Sequence, residues 1–156
     1  MRKILITTDG SPSALDAVEF GLDLAQEQGA WPVFLHVAPA VRVLPTGGSL
    51  FGLAATVPRK PDESDRGPLV AAARLAAERN IDVVTDLVTG HPVEEIVRYA
   101  SEIEADLIIV GSRGYGAVTG MLLGSVSRGV LHHAHCPVIV VRGAAAPVEA
   151  AATAAG

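Results

Sequence analysis

Short apolar runs rich in β-branched residues alternate along this chain with segments of helical periodicity, and this alternation strongly constrains the fold. Strands that are apolar on both faces are typical of a parallel sheet covered by helices on its two sides. Right-handed crossovers leave few ways to connect such elements. We therefore predict one α/β domain, doubly wound and Rossmann-like, with a five-stranded parallel sheet in the order 3-2-1-4-5 and helices on both faces. The predicted strands are Arg2 to Thr8, Trp31 to Val37, Asp82 to Val88, Asp106 to Val110 and Pro137 to Arg142.

Helices are predicted between these strands. The first begins with Ser11 as N-cap and Pro12 in its first turn, and it ends at Gly29. Apolar residues at three- and four-residue spacing predict one face of each helix against the sheet. These inward positions are Leu15, Val18, Leu22 and Ala25 in the first helix, Leu69, Ala72, Ala73 and Ala76 in the second, and Ile96, Ala100 and Ile103 in a third from Pro92 to Glu104.

Length and composition exclude several classes of protein. A chain of 156 residues is enough for one domain, and no apolar stretch approaches the length that spans a bilayer. The net charge of -5 argues against a nucleic-acid binder, which needs a basic face. The first residues lack the apolar core of a secretory signal, and the single Cys136 excludes an intrachain disulfide. We expect a cytoplasmic protein.

Two segments fall outside the regular pattern. Ala38 to Asp62 holds four prolines and three glycines without sustained periodicity, so we predict a disordered connection, with a functional lid as the alternative. The tail from Gly143 to Gly156 has eight alanines and almost nothing to bury. We therefore expect a domain over residues 1–142 and a flexible, Ala-rich tail over residues 143–156.

A glycine pattern follows the fourth predicted strand. Gly111, Gly114, Gly124 and Ser125 have the spacing glycine, two residues, glycine, nine residues, glycine, serine. Glycine permits a sharp turn and a close approach of the backbone to an anion, and a helix beginning at Gly-Ser offers free amides to phosphate. In doubly wound sheets ligands bind beyond the carboxyl ends of the strands, where Asp9 also lies. The pattern predicts a phosphate-binding site.

Two better-known phosphate motifs fit less well. A Walker A loop needs a lysine before its serine or threonine, and Gly120 to Ser125 has none. Gly114, Gly116 and Gly120 approximate a dinucleotide fingerprint, but the last interval is one residue too long and no acid follows to hold a ribose. We interpret Gly116 and Gly120 as turn or packing glycines.

With the motifs in place, the chain resembles the universal stress protein (UspA) family over nearly its whole length. The resemblance rests on Thr8 to Ser11, on His36 and Val37, and on Cys136 to Val141. The complete glycine pattern is similar to that of the ATP-binding branch of the family. The resemblance implies a nucleotide-dependent regulator or sensor in the stress response that binds ATP, with Mg²⁺ left open.

The resemblance also implies roles for individual residues. Thr8 and Asp9 match positions that contact adenosine, and Val37 matches a backbone contact to adenine. Gly111, Arg113 and Gly114 match the turn around the ribose and phosphates. The phosphate-holding start of the last helix is matched by Gly124, Ser125, Val126 and Ser127.

Members of that family usually form homodimers through the last strand, and the residues here supply a reason. Val138, Ile139, Val140 and Val141 form an apolar run at a sheet edge, where unpaired backbone groups favour pairing with a second copy. A short edge strand that needs no partner is the alternative.

Other interpretations remain open. His132, His133, His135 and Cys136 are metal-ligand types, but Pro137 begins a strand, so the helix ends inside the cluster and we favour a helix-end role over metal binding. The function could instead be that of a scaffold with a vestigial pocket. A slow ATPase is a third candidate: Asp9 is able to hold Mg²⁺, but the sequence shows no committed base.

Overall fold

The computed structural model describes residues 2–44, 55–114 and 123–143. Their main sheet has five parallel strands in the order β5-β2-β1-β6-β7. Taken in chain order, this is the predicted order 3-2-1-4-5, so the predicted fold class is confirmed. The strands are β1 (Lys3–Thr7), β2 (Trp31–Ala38), β5 (Val84–Thr89), β6 (Leu107–Gly111) and β7 (Val138–Val141), while β3 and β4 lie in a separate ribbon defined below.

Within the part of the chain that the structure describes, four α-helices cover the two faces of the sheet. They are α1 (Pro12–Gln28), α2 (Gly67–Glu78), α3 (Pro92–Glu102) and α4 (Ser125–His133). Alternate strand residues point to opposite faces. Ile6 and Phe34 therefore pack in one core with α1 and α2, whereas Leu5 and Leu35 pack in a second core with α3 and α4.

Helix α1 begins and ends as predicted. The Ser11 hydroxyl accepts from the N–H of Ala14, and Gly29 ends the helix at φ 58°. The buried face includes Ala17 and Gly21, whereas Leu15, which we predicted to face inward, is only partly buried. A Cβ at Gly21 would lie 2.4 Å from Ile6 Cδ1, so small residues allow this helix to approach the sheet closely.

The segment from Ala38 to Asp62 contains an antiparallel ribbon of β3 (Val41–Leu44) and β4 (Ala55–Pro58). The prediction of disorder is therefore wrong for these two strands. Backbone pairing continues one residue past the ends of these two strands, where the Arg59 N–H donates to the carbonyl of Ala40 over 2.9 Å. The Arg59 side chain also forms an ion pair with Asp65 in the single 3₁₀ turn that precedes α2.

Three sequence predictions lie partly or wholly outside the described residues. They concern the middle of the long connection, residues 45–54, the turn or packing role of Gly116 and Gly120, and the Ala-rich tail beyond Gly143. Among the helices that the structure describes, none has both the length and the apolar character needed to cross a bilayer.

Candidate functional site

A cavity of about 350 Å³ opens at the carboxyl ends of β1, β2 and β6, beside the N-termini of α3 and α4. All ten residues predicted to bind a ligand border it. They are Thr8, Asp9, Val37, Gly111, Arg113, Gly114, Gly124, Ser125, Val126 and Ser127. The fold thus brings residues from both ends of the chain to one place, at the sheet edge where doubly wound folds bind ligands.

The turn that follows β6 is held by hydroxyl groups from α1. The Ser11 hydroxyl donates to the Arg113 carbonyl over 3.3 Å, and the Arg113 N–H donates to Ser13 Oγ over 3.4 Å. Ser13 Oγ also lies 3.3 Å from the hydroxyl of Ser112, and all three serines are buried. The backbone of Arg113 is therefore fixed on its donor and its acceptor side by the first turn of one helix.

The start of α4 presents amides to the cavity. Its N-cap is Gly124, which has no side chain to satisfy the amides of the first turn. The Gly124 N–H itself donates to the Ser112 carbonyl over 2.7 Å, which joins the helix start to the turn after β6. The N–H groups at the start of α4, with the positive end of the helix dipole, can bind an anion.

The two serines of this first turn have different environments. Ser125 is exposed at the cavity. Ser127 is only 2% exposed, and its hydroxyl donates to the carbonyls of Ser112 and Gly124, each over 3.1 Å. The Ser127 side chain is thus occupied by the fold, so that its backbone N–H is the group it can offer to a ligand.

A side chain would have a different environment at each of the three glycines of the pattern. A Cβ at Gly111 would lie 2.8 Å from the backbone of Ser13, and one at Gly114 would lie 2.6 Å from Asp9 Oδ2. A Cβ at Gly124 would have its nearest contact, 3.4 Å from the Ser112 carbonyl oxygen, at an ordinary van der Waals distance. Gly111 is therefore required by packing, whereas nothing nearby in the described chain requires Gly124 to be glycine.

Polar groups at the end of β1 are largely engaged within the protein. The Asp9 carboxylate accepts from the Ser11 N–H through Oδ1 over 2.9 Å, while Oδ2 lies against Gly114. The Thr8 hydroxyl accepts from the Gly10 N–H over 3.2 Å. The Thr8 carbonyl accepts from His36 Nδ1 over 2.8 Å.

Several lining residues were not predicted as ligand-binding. Pro92 and Ile96 come from the first turns of α3 and form an apolar wall together with Val37, Val110 and Val126. Ser112 and His36 add polar groups. The signal that was available is position alone, since Pro92 begins a predicted helix, His36 lies near the end of a predicted strand and Ser112 closely follows one. Ile96 was predicted only as a position that faces inward. Among the described residues the lining thus combines an apolar wall, the Asp9 carboxylate and the N-termini of α3 and α4.

The histidine-rich segment at the end of α4 does not form a ligand cluster among the described residues. Within residues 2–44, 55–114 and 123–143, no three His, Cys, Asp or Glu side chains converge as a metal site would require. The helix ends at His133, inside the segment, and Ala134 follows in an extended conformation. Burial, and to a lesser degree the charge of Asp106, raises the pKa of the Cys136 thiol.

Comparison with known proteins places the chain in a family. The profile of the universal stress protein family matches residues 1–142. A universal stress protein of Methanocaldococcus jannaschii is 34% identical over 90% of this chain and 82% of its own length. One of Bacillus subtilis is 35% identical over 90% of this chain and 98% of its own length. The chain therefore belongs to the universal stress protein family, which confirms the resemblance.

Solved structures agree with this assignment. A universal stress protein solved in complex with cAMP superposes with a TM-score of 0.66 and 26% identity, covering 90% of this chain and 95% of that one.

Proposed function

We propose that this member of the universal stress protein family binds an adenine nucleotide in the cavity at the carboxyl ends of β1, β2 and β6. The observation that carries the proposal is the start of α4, where the glycine N-cap leaves the amides of the first turn without a side-chain partner at the cavity that Gly124 borders. Phosphate is the natural ligand of such a helix start. We assign the turn of Gly111, Arg113 and Gly114 and the amides of Ser125, Val126 and Ser127 to the phosphates of ATP.

The base would lie against the apolar wall and the end of β2. Leu35 points its carbonyl toward β1, where it accepts from the Thr8 N–H, and backbone groups two residues apart in a strand point to the same side. The N–H and C=O of Val37 therefore face the space beyond the end of β1. One donor and one acceptor side by side match the N1 acceptor and the 6-amino donor of adenine.

The Asp9 carboxylate lies between the base and phosphate regions. Its Oδ2 is beside Gly114, at the turn assigned to the phosphates. A carboxylate in this place can accept from ribose hydroxyls, and it supplies the oxygen ligand that Mg²⁺ prefers when ATP brings that ion. The exposed Arg113 at the same turn would offset phosphate charge.

A relative supports the choice of ligand class. The universal stress protein that was solved with cAMP shares 26% of its residues with this chain, and cAMP is an adenine nucleotide. We propose that the domain of residues 1–142 is a cytoplasmic, nucleotide-dependent regulator in the stress response.

We further propose a homodimer through β7. In the described chain this edge strand pairs with β6 alone, and the Ile108 N–H and Ser112 N–H donate to the carbonyls of Pro137 and Val141. The backbone groups of Val138 and Val140 therefore point away from β6, toward the open edge. Antiparallel pairing of two such edges about a two-fold axis would satisfy them.

The dimer is tested by removing one outward N–H. Val140→Pro deletes a donor that β6 does not use, a position at which edge strands tolerate proline. We expect a monomer by light scattering after gel filtration, while Val140→Thr, which keeps the N–H, stays dimeric. A wild-type monomer, or a dimeric Val140→Pro variant, would exclude this interface.

Nucleotide binding is tested by calorimetry with Gly124→Val. The branched side chain would occupy the space assigned to phosphate, so we expect at least a hundredfold loss of ATP affinity, about 2.7 kcal/mol. Gly67→Val is the matched control, since Gly67 begins α2 and has nothing within 4 Å of a Cβ. Thermal unfolding of each variant will check that the fold survives the substitution.

Two results would contradict this proposal. One is unchanged ATP affinity in a folded Gly124→Val variant. The other is wild-type protein that neither co-purifies with an adenine nucleotide, as judged by mass spectrometry, nor binds ATP, AMP or cAMP. A scaffold with a vestigial pocket would then be favoured.

A further inference from the structure

The hydrogen-bond ladder between β1 and β2 ends one bond early. The Thr8 N–H donates to the Leu35 carbonyl over 3.0 Å. In a regular parallel ladder the Thr8 carbonyl would next accept from the N–H two residues after Leu35 on β2, which is the N–H of Val37. In the described chain the Thr8 carbonyl instead accepts from the ring of His36 over 2.8 Å.

The chemistry of this contact fixes the state of the ring. A carbonyl oxygen has no proton to donate, so His36 must carry its proton on Nδ1. His36 is half-buried and borders the cavity, and Thr8 is 4% exposed, so the bond lies away from bulk solvent. In the described chain the imidazole, and not the Val37 N–H, is therefore the donor to the Thr8 carbonyl.

We infer that His36 is a positioning residue that keeps the Val37 N–H free for the base of the nucleotide. His36 acts through Thr8, without itself contacting the ligand in this assignment. The inference rests on the proposed nucleotide site, and it assigns His36 a part in base selection. Adenine N1 accepts a hydrogen bond from this N–H, whereas the protonated N1 of hypoxanthine cannot.

Amide hydrogen exchange of nucleotide-free protein tests the first step directly. We expect the Val37 N–H to exchange rapidly in the wild type and in His36→Asn, whose amide N–H can take the place of Nδ1–H. His36→Leu should slow this exchange at least tenfold, because the freed Thr8 carbonyl can complete the ladder. The matched control is His132→Leu, at an exposed position of α4.

Nucleotide affinity tests the second step. Calorimetry should show that His36→Leu binds ATP about tenfold more weakly and has a smaller preference for ATP over inosine triphosphate than the wild type, while the Val37 C=O still favours the 6-amino group of adenine. His36→Asn and His132→Leu should keep both the affinity and the preference. A purely structural role for His36 would lower the melting temperature without changing the ratio of the two affinities.

The outcomes separate this inference from the proposal beneath it. Slow Val37 exchange in the wild type, or an unchanged ATP to inosine triphosphate ratio in His36→Leu, would overturn the role of His36. If the wild-type protein binds no nucleotide, but its Val37 N–H still exchanges faster than that of His36→Leu, only the nucleotide site would be overturned.

Discussion

Gly111 and Gly124, the first and last glycines of the pattern, differ in how closely the surrounding protein would contact a side chain there. At Gly111 a Cβ would lie 2.8 Å from the backbone of Ser13, in the first turn of α1. At Gly124, which borders the cavity, the nearest atom of the described chain to a Cβ would be 3.4 Å away. The first glycine allows a helix to approach the sheet, whereas the second has room around it that the described chain does not fill.

This difference teaches that one sequence pattern can combine a folding requirement with a binding requirement. Backbone atoms on two elements cannot move apart without disturbing the sheet, so a change at Gly111 acts on stability. Space at a cavity can be filled at little cost to the fold, so a change at Gly124 acts on the ligand. The same glycine-to-alanine substitution at both ends should therefore separate the two requirements.

The largest effect is expected for Gly111→Ala. Its Cβ would overlap the backbone of Ser13 and Ala14, and overpacking of this kind costs about 3 kcal/mol of unfolding free energy. For a domain of this size the melting temperature should fall by about 6 to 12 °C. Gly67→Ala, which has nothing within 4 Å of the new Cβ, is the control and should unfold like the wild type. A Gly111→Ala variant of wild-type stability would break the comparison at its first end.

Gly124→Ala should give the reverse result. Alanine is a poorer N-cap than glycine, but the cost to the unfolding free energy should stay below about 1 kcal/mol. Because the methyl group projects into space assigned to phosphate, ATP affinity measured by calorimetry should fall about tenfold or more. A variant that lost stability as Gly111→Ala does, with its affinity retained, would show that Gly124 is a second packing glycine.

The sequence predicted much of the fold but could not distinguish these two glycines. Apolar runs and helix caps such as Ser11 are local signals, which is why strand order and α1 followed from them. The constraint on Gly111 comes from Ser13, about a hundred residues earlier in the chain, and spacing along the chain does not contain it. The ribbon of β3 and β4 was missed for a related reason, since its short strands are stabilised by pairing with each other and by the ion pair of Arg59 with Asp65.

The candidate site was predicted in position more fully than in detail. The ten predicted residues surround one cavity, because carboxyl ends of parallel strands meet at one edge of the sheet. The hydrogen bond from His36 to Thr8 depends on side-chain geometry that no motif spacing encodes. The same holds for Ser127, whose hydroxyl turns inward.

The two serines of α4 repeat the contrast on a smaller scale. In Ser127→Ala the fold loses a buried hydroxyl that donates to the Ser112 and Gly124 carbonyls, at a cost of about 1 kcal/mol of unfolding free energy. Since the backbone N–H remains, ATP affinity should change less than about twofold. Urea unfolding and calorimetry on one preparation measure both quantities. A large loss of affinity at unchanged stability would place the Ser127 hydroxyl on the ligand and contradict its assignment to the fold.

The smallest effect is expected for Ser125→Ala. This serine is exposed at the cavity, and an exposed side chain with no role in packing changes the unfolding free energy by less than about 0.5 kcal/mol. Its hydroxyl is one donor among several backbone amides at the helix start, so its loss should weaken ATP binding only about threefold, about 0.7 kcal/mol. Ser125→Thr keeps the hydroxyl and should restore the affinity. If Ser125→Ala instead destabilised the protein more than Ser127→Ala does, the division of α4 into a ligand-facing and a fold-facing serine would be wrong.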